Sequence, residues 1–196
     1  MKTLKSNSFI VLSLVLLGAF VTFTACNTTA NKSADATTTV KDEKVIAPSM
    51  DIHTAVVMGN LKVVQQHVSA GTDLNVKDQY GSTPLIIAST FGRTEVAKLL
   101  IKSGADLNAT SADESTPLHT AAFFCRTDIV HLLLDAGADK NLRNKYGSTP
   151  LESVLAPFDA VKPIYMQINK DLGPLGIKLD YDELEQTRPV IAELFK

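Results

Sequence analysis

Ser82-Thr83-Pro84-Leu85 returns as Ser115-Thr116-Pro117-Leu118 and again as Ser148-Thr149-Pro150-Leu151, each time 33 residues further on. Out of phase with it, Gly71-Thr72-Asp73-Leu74-Asn75 returns as Gly104-Ala105-Asp106-Leu107-Asn108 and Gly137-Ala138-Asp139-Lys140-Asn141, again at 33. Two separate motifs locked to one period identify a repeat architecture, whose units bury their apolar faces only against neighbours. Each motif has a local cause. Thr83, Thr116 and Thr149 suit helix N-caps, and the proline after each suits an early helical position whose N–H has no partner anyway. Leu85, Ala88, Val96, Leu99 and Leu100 recur at helical spacing and supply the apolar faces of two antiparallel helices. Gly71, Gly104 and Gly137 stop the second helix of each unit, where a left-handed residue is needed.

Residues 81 to 146 carry two complete copies. Their Thr-Pro-Leu-His, Glu-Val-Ala-Lys-Leu-Leu and Gly-Ala-Asp-Leu-Asn runs resemble the ankyrin repeat. That resemblance implies an all-α solenoid of paired antiparallel helices with hairpin-like loops. Copies are expected at about 49–80, 81–113, 114–146 and 147–179. The first is degenerate, with Asp51-Ile52-His53 in the place of the helix-opening motif. In the fourth, the spacing predicts an outer helix from about Val161 to Leu172, with Ile164, Ile168 and Leu172 sharing a face. Arg188-Pro189-Val190 predicts a closing helix over 187–196, with Arg188 where the capping threonine would stand. The loop from Pro174 to Gln186 fits no repeat motif.

The N-terminus reads differently. Met1 to Ser8 holds Lys2 and Lys5 and no acid, and Phe9 to Phe23 is almost wholly apolar but short for a membrane-spanning helix. This is the order of a signal peptide over residues 1–25. Phe23-Thr24-Ala25-Cys26 resembles the bacterial lipobox, which implies diacylglycerol on Cys26 and an exported, membrane-anchored protein. A cut near Ala25 with Cys26 incidental, or an uncleaved anchor, are the other readings. Asn27 after the cysteine implies delivery to the outer membrane, facing the periplasm. Residues 26–48 are small and polar without apolar period and read as a flexible tether.

Composition narrows function. The chain carries 19 basic and 21 acidic residues, a net −2. Loss of Lys2 and Lys5 with the leader leaves 17 basic against 21 acidic groups, net −4. No basic patch capable of neutralising a run of phosphates emerges, so no nucleic-acid partner is expected. No phosphate loop, Cys-x-x-Cys or Gly-x-Ser-x-Gly occurs, and no cofactor is expected. His53, His67, His119 and His131 show no metal-ligand spacing, so no metal is expected. His119 fills the repeat's own histidine slot, a structural role. Cys125 stands where Gly59 and Gly92 end the inner helices of earlier copies. The alternative role of nucleophile lacks an evident oxyanion donor or orienting carboxylate. Asp180, Asp182, Glu183 and Glu185 read as a solvated loop and helix start.

What remains is binding. The resemblance implies that a partner contacts the loop tips and the last residues of each inner helix. Those positions hold Val57-Met58, Thr90-Phe91, Phe123-Phe124 and Ala156-Pro157, with Tyr80 and Tyr146 at the tips. Aromatic anchors carry binding energy at protein interfaces. Tyr80, Phe91, Phe123, Phe124 and Tyr146 are therefore the predicted contacts for a protein partner in the concave groove and at the loop tips, unless the phenylalanines tuck against a neighbouring repeat or the irregular fourth one. Some exported bacterial ankyrin proteins resembling this chain are associated with oxidative-stress defence. They imply as the alternative an accessory or inhibitory factor for an envelope enzyme.

Overall fold

The computed structural model describes residues 46–196, so the expected leader, Cys26 and the expected tether before Ile46 lie outside the described residues. Within them run α1 (Ile52–Val57), α2 (Leu61–Ser69), α3 (Pro84–Phe91), α4 (Thr94–Lys102) and α5 (Pro117–Phe123). Then come α6 (Thr127–Asp135), α7 (Pro150–Leu155), α8 (Phe158–Leu172), a 3-10 turn at Gly173–Leu175, and α9 (Tyr181–Glu193). The fold is an all-α solenoid. Inner helices α1, α3, α5 and α7 stack in one row, which α9 extends, and α2, α4 and α6 stack in the outer row. Hairpin-like loops join successive units, closed by Asp78 N to Ser82 O, Ser111 N to Ser115 O and Asn144 N to Ser148 O, each 3.0 Å.

The repeated residues do repeated work. Thr83, Thr116 and Thr149 each cap the helix that follows, with proline in its first turn. Leu85 and Leu118 are fully buried at one phase of the period, and Leu100 and Leu133 at another. Each such leucine contributes on the order of 2 kcal/mol by leaving water. The asparagine of the second motif links units: Asn75 Oδ1 accepts from Asp106 N at 2.8 Å, and Asn108 Oδ1 from Asp139 N at 3.0 Å.

The third copy breaks the pattern at two backbone positions. Gly81 and Gly147 take φ +74° and +76° at the loop tips, whereas Glu114 holds the equivalent position at +61°. Gly59 and Gly92 end inner helices at +68° and +64°, and Cys125 does so at +53°. A side chain in that region costs roughly 1–2 kcal/mol. Glu114 is exposed and caps nothing, so Glu114→Gly should raise stability by about 0.5–1 kcal/mol, read from the denaturant midpoint. Gly147→Glu, whose Cβ would meet no atom within 4 Å, should lower it by a similar amount.

The C-terminal part departs from the spacing. The eighth helix starts at Phe158, and its buried residues are Val161 and Tyr165, while Ile164 is 50% exposed. The face expected from Ile164 is wrong because α8 does not continue the outer row. It packs instead on the 3-10 turn and α9, turning Val161, Tyr165, Ile168 and Leu172 toward a separate apolar cluster. The closing helix starts at Tyr181, six residues before the expected 187. Asp180 caps it, its carboxylate accepting from Asp182 N at 3.0 Å and Glu183 N at 3.1 Å. The acidic cluster is thus the start of a helix, where negative charge is favourable. Arg188 is not a cap but lies mid-helix, 3% exposed. Among the described residues no helix is long and apolar enough to cross a membrane.

Candidate interaction surface

Each inner helix ends in a carbonyl that its own helix cannot satisfy. At the equivalent position in four successive units these are Val57, Thr90, Phe123 and Ala156, and each accepts from a later unit. Arg93 donates twice to Val57 O, at 3.0 and 2.7 Å. Arg126 Nη2 donates to Thr90 O at 3.2 Å. Tyr165 OH donates to Phe123 O at 2.6 Å, and Arg188 Nη2 to Ala156 O at 2.8 Å. Arg188 also donates through Nη1 to Tyr165 OH at 2.9 Å, coupling the last two rungs. Neither Tyr165 nor Arg188 was singled out as a functional or linking residue by the repeat pattern. Only the helical spacing of Tyr165 from Val161 hinted at burial.

The aromatic row forms, but facing inward. Phe123 stacks on Tyr165 with centroids 4.6 Å apart, and Phe124 meets Phe123 edge-on at 5.2 Å. Phe124 is 7% exposed, buried with Val161, Tyr165, Ile177, Leu179 and Leu184. Phe91 and Phe123, half-buried, pack against the same cluster. An open stripe of phenylalanines is therefore not formed: α8 and the segment after it cover these rings. The cause is the cost of leaving three adjacent phenylalanines in water, which a chain with spare apolar residues downstream avoids. Burial also pushes the Tyr165 phenol up to about 12, so it stays a donor at any ordinary pH.

The five predicted contacts do not meet in one patch. Tyr80 and Tyr146 lie on the loops at the N-terminal ends of the inner helices. The phenylalanines lie at the opposite ends, one helix length away, about 12 Å for the eight residues of α3. Tyr146 is 56% exposed and Tyr80 half-buried, its hydroxyl accepting from Gln79 Nε2 at 2.9 Å. Met58, at the open end of the inner row, is 62% exposed.

The remaining chemistry is structural. Cys125 Sγ faces Leu184 O at 3.7 Å, and burial pushes its thiol up to about 11, against the thiolate a nucleophile needs. His119 Nδ1 accepts from Thr116 N at 3.2 Å and its Nε2 bonds Ser148 O at 2.9 Å. His131 is exposed on the outer row. Among the described residues no group of three or more His, Cys, Asp or Glu could hold a metal ion.

The family model described as ankyrin repeats (3 copies) matches residues 52–144. That segment is an ankyrin-repeat array. No curated protein matches the chain. Ankyrin repeats generally mediate protein–protein interaction, and their regular framework leaves specificity to surface residues. The ankyrin match ends at Asn144, so α7 is the first helix beyond it and α8 is where the packing leaves the outer row.

Proposed function

We propose that the chain is a protein-binding module of the bacterial cell envelope, held by a lipid on Cys26, with its loop tips as the partner face. The observation that carries the binding face is Tyr146, a large amphipathic ring left 56% exposed on an ankyrin loop tip. Tyr80 stands two units earlier on the same row of tips. Tyrosine supplies contact area at low entropy cost, which suits it to an anchoring role. The anchor rests on the sequence around Cys26 and on the polar tether behind it, which gives the folded body reach from the bilayer. Cys125, with its raised thiol, offers no rival catalytic reading.

The test is capture of the tagged, natively expressed chain after cross-linking in cells, beside Tyr80→Ala/Tyr146→Ala and Cys26→Ser. A stoichiometric protein should be retained by the native chain and lost from the tyrosine variant, with the fold unchanged by circular dichroism. Cys26→Ser should move the chain from the membrane to the soluble fraction. Equal capture by native chain and tyrosine variant removes the loop-tip face; a membrane-bound Cys26→Ser removes the lipid. If the captured protein is an enzyme whose rate changes on binding, the accessory-factor reading replaces the plain adaptor.

A further inference from the structure

We infer that residues 158–187 form a strap that opens as one unit from the inner-helix ends, uncovering Phe91, Phe123 and Phe124. The first ground is that the apolar core is double. The main cluster runs from Ile52 through Val154 to Ile191 and Phe195, and includes no residue between 158 and 187. The strap's buried residues, Val161, Tyr165, Ile177, Leu179 and Leu184, belong with Phe124 to the second cluster. A small satellite cluster makes a cooperative unit of lower stability than the core it rests on.

Both ends of the strap are marked by proline. Pro157 stands as the extended residue before α8, with φ −53° and ψ 135°. Pro189 lies inside α9 and removes the helical bond to Glu185 O, between the half that carries Leu184 and the half that carries Ile191. The first half of α9 can lift while Ile191 and Phe195 keep the second half docked. Few hydrogen bonds tie strap to body. Tyr165 OH joins Phe123 O and receives Arg188, and the weak Cys125 thiol contact reaches Leu184 O. Others, Leu179 N to Asn169 Oδ1 and Ile177 N to Leu172 O, stay within the strap. Tyr165 is thus the latch.

Beneath the strap lie rings at helix-end positions, which the closed strap covers.

The test is amide hydrogen exchange on the full chain, resolved by peptide. In the native chain, amides of 160–187 should exchange as a block, faster than those of α3 to α6. Tyr165→Phe keeps the ring and removes two hydrogen bonds, and should speed the block about tenfold. Val96→Ala in α4 weakens the main core, which stays folded when the strap opens. It should speed exchange in α3 to α6 and leave the strap within about twofold of native. Should Val96→Ala fail to fold, Ile129→Val in α6 serves with the same expectation. A strap that follows α3 to α6 in both variants, or ignores Tyr165→Phe, overturns the inference.

Discussion

Arg188→Met should lower the stability of the protein by about 2–4 kcal/mol, the largest effect expected of any single surface-to-core polar change here. The residue is 3% exposed, and no ion pair among the described residues includes it. It is held by neutral acceptors: Tyr165 OH at 2.9 Å, Ala156 O at 2.8 Å and Ser153 O at 3.4 Å. Two effects oppose each other. Methionine removes the cost of burying a charge, which by itself favours the variant. It also strands two part-buried carbonyls at the end of α7, and each charged hydrogen bond lost is worth about 1.5–3 kcal/mol. With three bonds lost against one desolvation, the loss wins. Lysine should not rescue, because three acceptors spread over α7 and α8 match a planar fork and not a point charge. Arg93→Met should cost less, because Arg93 is less buried than Arg188 and serves a single carbonyl. Urea titration of the three variants checks the order, and an Arg188→Met as stable as native would show that the burial cost dominates.

His119 should make the protein acid-labile well above the pH where carboxylates titrate. Its Nδ1 accepts from Thr116 N and its Nε2–H donates to Ser148 O of the next unit, so the ring must be neutral to do both. Burial, opposed by the Ser148 carbonyl and by Asp113, leaves its pKa below the ordinary 6.5. The unfolded chain therefore takes up the proton first. The contribution is fully present above pH 6.5 and is lost as pH falls from there through the lower folded value. The unfolding free energy should be level from pH 8 to 7 and fall as the pH drops below 6.5. His119→Gln keeps a side chain able to close the capping box, and should remove part of that slope at a cost of about 1 kcal/mol at neutral pH. His119→Ala loses the box and the link to the next unit, and should cost about 2–3 kcal/mol at neutral pH. An unchanged slope in His119→Gln would place the acid sensitivity in another group.

Which parts were legible follows from the range of the interactions involved. The helix pairs, their threonine caps and the loops between units were readable because each cause sits within a few residues and recurs every 33. Even the anomaly at Cys125 was visible as a glycine position without a glycine. The aromatic positions were visible too, and were named as contacts. Whether a partner or the irregular fourth unit covers them stays open in the sequence, because nothing local distinguishes a phenylalanine that waits for a partner from one covered by its own chain.

By itself, then, the sequence determined the all-α ankyrin solenoid, its register, its caps and the loop tips that carry Tyr80 and Tyr146. The tertiary structure alone decided the fate of residues 158–187: that α8 leaves the outer row, that α9 starts at Tyr181, and that Tyr165 and Arg188 complete the ladder of helix-end carbonyls. The physical reason is one of distance along the chain. The repeat is set by local geometry and by contact with the adjacent copy, so periodicity encodes it. The strap is set by single contacts such as Tyr165 to Phe123 and Arg188 to Ala156, 42 and 32 residues apart. No period announces those, and only the fold brings them together.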